Sequence, residues 1–156
     1  MSTPAAQPLN EAKLHDFVMK AVGEMGAAMN AALIVIGDKL GLYKAMAGAG
    51  PVTSAELAAK TKTTERYVRE WLSAQAAGGF VTYDAATGKY TLPPEQAMVL
   101  ADEQSPVLLP GAFEVVGACI KDAEKITDAF QSGKGVGWHE HHHSLFSGTE
   151  RFFSPN

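Results

Sequence analysis

The stretch GKGVGWHEHHH, residues 133–143, holds two patterns whose residue types could do chemistry. The first is a G-x-G-x-G run. Such a run cradles an anion when it follows a buried strand and opens a helix, so that backbone amides and the helix N-terminus converge on the ligand. The second, read from His139, is H-E-x-x-H. It binds zinc when both histidines lie one helical turn apart, the glutamate stands beside the metal-bound water, and a third ligand arrives from elsewhere. Neither context fits here. The preceding KDAEKITDAFQS has helical spacing, so Gly133 reads as a helix terminator and Gly135 and Gly137 as loop residues, and no cofactor-binding residue is assigned. His139 and His143 would share a face only if a helix began at Trp138. After His143 the sole acidic or imidazole side chain is Glu150. A packed or solvent-facing His-rich loop is the expectation, with metal capture at His139 and His143 adventitious rather than built.

The elements that must position this loop follow from periodicity. Residues 1–10 are rich in Pro, Ala and Ser without an apolar period, and read as a mobile arm. From Glu11, a helix is expected to run to about Leu40, with Gly41 as its stop. Its apolar stripe is Leu14, Phe17, Val18, Ala21, Val22, Met25, Ala28, Met29, Ala32, Leu33 and Ile36. Thirty residues at 1.5 Å each give roughly 45 Å, more than a small domain can cover, unless Gly23 and Gly26 bend it. Part of the stripe is therefore expected to meet another chain, as a homodimer through the N-terminal helices.

In residues 53–92 the period changes from helical to alternating. Thr53 with Glu56 forms a capping box that starts a short helix through Ala59. Thr64 is placed to cap a second helix, carried by Val68, Trp71, Leu72 and Ala76 and ended by Gly78-Gly79. Alternation in Phe80, Val81 and Tyr83, then Lys89 to Leu92 beyond a loop containing Gly88, reads as a β-hairpin. Short helix, turn, longer helix and hairpin make a winged helix-turn-helix. The fold class is mainly α with a small β-hairpin, built from this unit, a long N-terminal helix and additional C-terminal helices. Beyond the hairpin, Pro94 to Leu100 reads as a short helix. Ser105-Pro106 reads as a further helix start, Pro110 as an interruption, and Ala112 to Phe130 as one amphipathic helix ending at Gly133. The division is thus an arm over 1–10, a winged-helix dimerisation domain over 11–132, and a Gly/His-rich linker over 133–156.

Charge argues against nucleic acid. The chain carries 13 Lys and Arg against 17 Asp and Glu, a net charge of -4. In residues 53–92, Lys60, Lys62, Arg66, Arg69 and Lys89 stand against Glu56, Glu65, Glu70 and Asp84. The second helix opens TERYVRE, where each arginine has a glutamate within helical reach. A groove-reading helix needs free cations for base edges and phosphates. A stand-alone winged-helix transcriptional regulator, pairing through its first helix and sensing a small molecule, is the alternative reading, and it lacks that basic face. The one cysteine, Cys119, reads as a small packed hydrophobe and builds no disulfide framework. No basic segment precedes an apolar run, and no stretch reaches the roughly 18 uninterrupted apolar residues of a membrane helix. A cytoplasmic protein without a membrane partner is expected.

Two runs, IGDKLGLYKAMAGAGPVTSAELAAKTKTTERYVREWLSAQAAGGFVTYDAATGKYTLPPEQAMVLAD and WHEHHHSLFSGTERFF, resemble the N-terminal region of bacterial S-adenosylmethionine-dependent methyltransferases. In those enzymes a winged-helix domain precedes a Rossmann-like catalytic domain. The resemblance implies a dimerisation and substrate-pocket module. S-adenosylmethionine is then the cofactor of the full-length enzyme, bound by a later acidic, glycine-rich strand-to-helix loop. After Phe153 only Ser154, Pro155 and Asn156 follow, so the catalytic domain is expected to be missing from this chain, as in a fragment or a truncated product, and the chain to be inactive alone. Trp138, His139, Glu140, His142, Phe152 and Phe153 are the candidates for a junction facing a small-molecule acceptor, with a general-base histidine in the full enzyme. Packing of an interdomain linker would use the same residues.

Overall fold

A computed structural model describes residues 8–154. Most of the expected arm, residues 1–7, lies outside the described residues. Helix α1 (Glu11–Lys39) begins where the Asn10 side chain accepts from the Lys13 amide. It runs unbroken, so Gly23 and Gly26 neither bend nor split it. Gly41, at φ 68, turns the chain into α2 (Leu42–Met46). Helix α3 (Ser54–Thr61) starts on the expected capping box, with Thr53 and Glu56 satisfying each other's amides. Lys62 sits at φ 55, the one non-glycine in the left-handed region among the described residues, and makes the tight turn into α4 (Glu65–Ala77). Thr64 is at the N-cap of α4, but its side chain makes no capping bond. Glu65 instead accepts from Ser54 Oγ at 2.7 Å and ties the two helices together.

The wing pairs β1 (Thr82–Asp84) with β2 (Lys89–Thr91), antiparallel and in the register Tyr83 to Tyr90. An isolated bridge from Val52 to Tyr90 adds a third segment. The Asp84 carboxylate accepts from the Ala86 amide and Thr87 Oγ1 to shape the loop, and Gly88 closes it at φ 68. The core joins Ile34, Leu42, Tyr43, Met46, Leu57, Leu72, Val81 and Leu100. Within it, Tyr43 donates its hydroxyl to Gln75 Oε1 at 2.5 Å, and Gln75 Nε2 donates to Asn30 Oδ1 at 2.9 Å, so the buried amide is satisfied from both sides. Burial, with Asp38 nearby, pushes the Tyr43 phenol above its ordinary range.

Of the expected α1 stripe, only Leu33 packs against this core. The covered residues of α1 are Ala31, Ile34 and Gly37, whereas Leu14, Phe17, Val18, Val22, Met25 and Met29 are exposed. Periodicity found an apolar face, and the fold buries a different one. By length and composition α1 could also cross a membrane, with a mean hydropathy of 1.3 over an 18-residue window. The requirement of uninterrupted apolar residues missed this, because Lys20 and Glu24 interrupt the sequence but lie off the stripe.

Beyond the wing come α5 (Pro94–Leu100), α6 (Pro110–Lys121), α7 (Ala123–Ser132) and, after a 3-10 turn at Trp138–Glu140, α8 (Ser144–Phe153). Three expectations change here. Pro106 opens no helix, and Ser105 Oγ accepts from the Val107 amide in a turn. Pro110 occupies the first turn of α6 instead of interrupting it, as suits a residue without an amide proton. The single helix from Ala112 is two, broken at Asp122. Cys119 is exposed on α6 rather than packed, because the face of α6 against the body is Pro110, Gly111 and Ala118.

Within residues 133–156, expected to be a linker, α8 lies tight against α6. A Cβ built on Gly148 would stand 2.7 Å from the Gly111 oxygen, and one on Gly111 would stand 2.7 Å from the Gly148 oxygen. Only glycine at both positions permits this backbone approach. Arg151 completes the lock, donating to both Asp38 oxygens at 2.5 and 2.9 Å and to Glu103 at 2.7 Å; Lys44 holds Glu103 at 2.6 Å. These partners push the arginine further up and, led by Lys44, the Glu103 carboxyl down.

Candidate functional site

The His-rich loop is built around a residue that sequence reasoning passed over. Asp122, at the break between α6 and α7, is 3% exposed. Its Oδ2 accepts from His141 Nδ1 at 3.0 Å and from the His142 amide at 2.9 Å, while its Oδ1 takes Lys125 Nζ at 2.9 Å. Lys125 also donates to the Glu140 carbonyl at 2.5 Å. Asp122 thus fixes His141 and His142 directly, and Lys125, held by the same carboxylate, fixes Glu140. Lys125 first, then the His142 amide, holds this carboxyl well below the usual carboxylate range. The hold of Asp122 and Lys125 on the loop was missed because their loop partners lie 15 to 20 residues away; the Asp122–Lys125 pair is itself local, at i,i+3, but that spacing marks only an ordinary helical ion pair.

Gly133, at φ 70, ends α7 as the pattern predicted, and residues 133–137 follow that helix without opening another α-helix. The short turn at Trp138–Glu140 is closed by Glu140 Oε2, which accepts from the Gly137 amide at 2.5 Å. The H-E-x-x-H string therefore spans a 3-10 turn, an extended residue at His141 and the start of α8, so His139 and His143 are not one α-helical turn apart. Among the described residues, no group of three His, Cys, Asp or Glu is arranged to hold a metal.

The candidates fall into two places. Trp138, His139, Glu140 and His142 share the loop. Trp138 is 65% exposed and meets Phe146 edge-on at 5.2 Å between ring centroids. His142 Nδ1 accepts from the Ser144 amide at 3.2 Å, which fixes the start of α8. Desolvation, then Lys121 and His143, pushes His142 below its ordinary value. Phe152 and Phe153 stack edge-on at 5.1 Å at the other end of α8, roughly 13 Å along its axis from Ser144. They are not part of the same cluster.

On α4, where a DNA-reading winged helix carries free cations, Arg66 pairs with Glu70 at 3.5 Å and Arg69 with Glu65 at 3.9 Å. Instead of a basic face, α4 lines an apolar groove with α1 that includes Leu33, Ile36, Leu40, Tyr67 and Trp71.

Residues 28–102 match the model of the Rv2258c-like winged HTH domain, so this span is a winged helix-turn-helix domain. The wider architecture is similar to that of solved methyltransferases. A putative O-methyltransferase from Nostoc punctiforme PCC 73102 aligns at 24% identity with a TM-score of 0.63, over 96% of this chain. PigF with SAH aligns at 17% identity and 0.60, over 87%. Human N-acetylserotonin methyltransferase in complex with SAM aligns at 18% and 0.58, over 96%. The chain spans 43% of the length of each of these proteins. At these identities the likeness establishes the fold. No match was found among curated proteins.

Proposed function

We propose that this chain is the N-terminal dimerisation and substrate-pocket module of an S-adenosylmethionine-dependent methyltransferase acting on a small molecule. The observation that carries the reading is an unbroken α1 whose apolar residues from Leu14 to Met29 stay uncovered, on a winged-helix body that recurs in methyltransferases more than twice as long. Leaving such a stripe in water forfeits roughly 25 cal/mol for each Å² of apolar surface, and a second copy offers an identical stripe. Charge supports the choice of partner, since the arginines of α4 are already paired on their own helix.

In this reading S-adenosylmethionine is held by a Rossmann-like catalytic domain outside residues 8–154, and the module is inactive alone. Trp138, His139, Glu140 and His142 face the acceptor from a loop anchored on Asp122, with Phe152 and Phe153 at the junction beyond α8. The anchoring supports such a role, because side chains that orient a substrate must themselves be held.

Light scattering on the purified chain tests the pairing: a species of twice 16.5 kDa is expected. Calorimetry with S-adenosylmethionine is expected to show no binding. A monomer that nevertheless transfers methyl groups would overturn the proposal.

A further inference from the structure

The groove between α1 and α6 is lined mostly by apolar residues, with Lys39, Glu114 and Lys121 among them. Ala28 and Ala32 face Val116, Gly117 and Ile120 across a cavity of about 200 Å³. An apolar cavity of roughly 150 Å³ accommodates benzene, so a single ring or a branched chain fits.

The two lysines that line it differ in their partners. Lys39 is compensated by Glu114 at 3.7 Å, and Glu114 also accepts from Ser147 Oγ at 3.2 Å. Asp122 is occupied by Lys125, His141 and the His142 amide. Lys121 has no carboxylate partner among the described residues. Its Nζ lies 3.5 Å from His142 Nε2. Because His142 Nδ1 accepts from the Ser144 amide, the neutral ring carries its proton on Nε2. The exposed Lys121 ammonium and the His142 N–H therefore stand side by side as two donors. Burial, Lys121, His143 and Lys125 favour the neutral ring, against Asp122.

We propose that this groove binds a small carboxylate with an aromatic or branched apolar body. The body lies along Ala28, Ala32, Val116 and Gly117. The carboxylate oxygens accept from Lys121 Nζ and His142 Nε2, giving both donors one acceptor group and Lys121 a counter-charge. A phosphate dianion fits less well, because Lys121 is the one lining cation without a carboxylate partner among the described residues. The site shares Ala28 and His142 with the surfaces assigned above to pairing and to the acceptor, but its test reads ligand binding alone and so fails separately from that reading.

Calorimetric titration of the chain with phenylacetate tests it. Saturable binding at one site per protomer is expected. Phenylacetamide should bind roughly tenfold or more weakly, and Lys121→Met should cost phenylacetate a similar factor. Gly117→Leu should abolish binding: no atom lies within 4 Å of a Cβ built there, so the leucine enters the helix without a clash and fills the groove. An unchanged circular dichroism spectrum and melting curve would show that this variant still folds. The proposal is overturned by no saturable binding, by equal affinity for the amide, by inorganic phosphate binding as tightly as phenylacetate, or by Gly117→Leu binding like the parent.

Discussion

From Asn30 to Gly37 one face of α1 is covered by its own chain, and from Leu14 to Met25 no face is, although both segments are helical and apolar. The covered segment offers small or deeply fitted residues. Ile34 is fully buried, the Leu33 carbonyl accepts from Trp71 Nε1 at 2.9 Å, and Gly37 lies directly beneath the Trp71 and Tyr43 rings. The uncovered segment offers bulky ones, with Phe17 and Met25 each 68% exposed. Where a helix meets its own domain, shape decides which face goes in. Where it projects past the domain, the widest apolar stripe is left for another surface.

Substitutions on the two segments should therefore behave differently, and the largest effect belongs to the covered one. Ile34→Ala is expected to destabilise the fold by about 3 kcal/mol, read as a lower denaturant midpoint, because it empties a fully enclosed site. A near-neutral result would mean that α1 is not seated as described. Gly37→Val should cost about 2 kcal/mol in the same measurement, since a Cβ there would stand 2.4 Å from the Trp71 ring. On the projecting segment, Phe17→Ser should change protomer stability by no more than about 0.5 kcal/mol. It should also shift sedimentation toward the monomer and remove any dependence of the melting temperature on protein concentration. Equal losses from Ile34→Ala and Phe17→Ser, with no change in assembly, would erase the distinction between the segments.

The smallest effect concerns acid, and it separates the loop anchor from both segments of α1. The folded pKa of Asp122 lies below its unfolded value near 3.9. Its stabilising contribution is therefore complete above that value and is lost as pH falls toward the lowered one. Asp122→Asn should flatten the acid limb of the stability curve below about pH 4 and leave the limb above neutrality unchanged. Chemical denaturation at several pH values reads this directly.

The winged unit was legible because its signals are local. The capping box at Thr53 and Glu56, the period of Val68, Trp71 and Leu72, and the hairpin loop ending at Gly88 each lie within a few residues of what they specify. The candidate site was legible only in part. The loop was located and the end of α7 at Gly133 correctly placed, but the anchor Asp122 lay inside what read as a continuous amphipathic helix. Cys119 failed for a related reason: a helix can be apolar on two sides, and periodicity does not say which one the domain covers.

The sequence by itself determined the span of α1, the helices and hairpin of the winged unit and the pairing of the α4 arginines, because capping, periodicity and i,i+4 charge spacing act over distances shorter than one element. Only the tertiary structure decided which face of α1 is buried, that Asp122 and Lys125 hold residues 140–142, and that Gly111 and Gly148 let α8 dock on α6. These depend on groups 15 to 37 residues apart in the chain. Side-chain shape and the satisfaction of a buried charge bring such groups together, and neither leaves a local pattern to read.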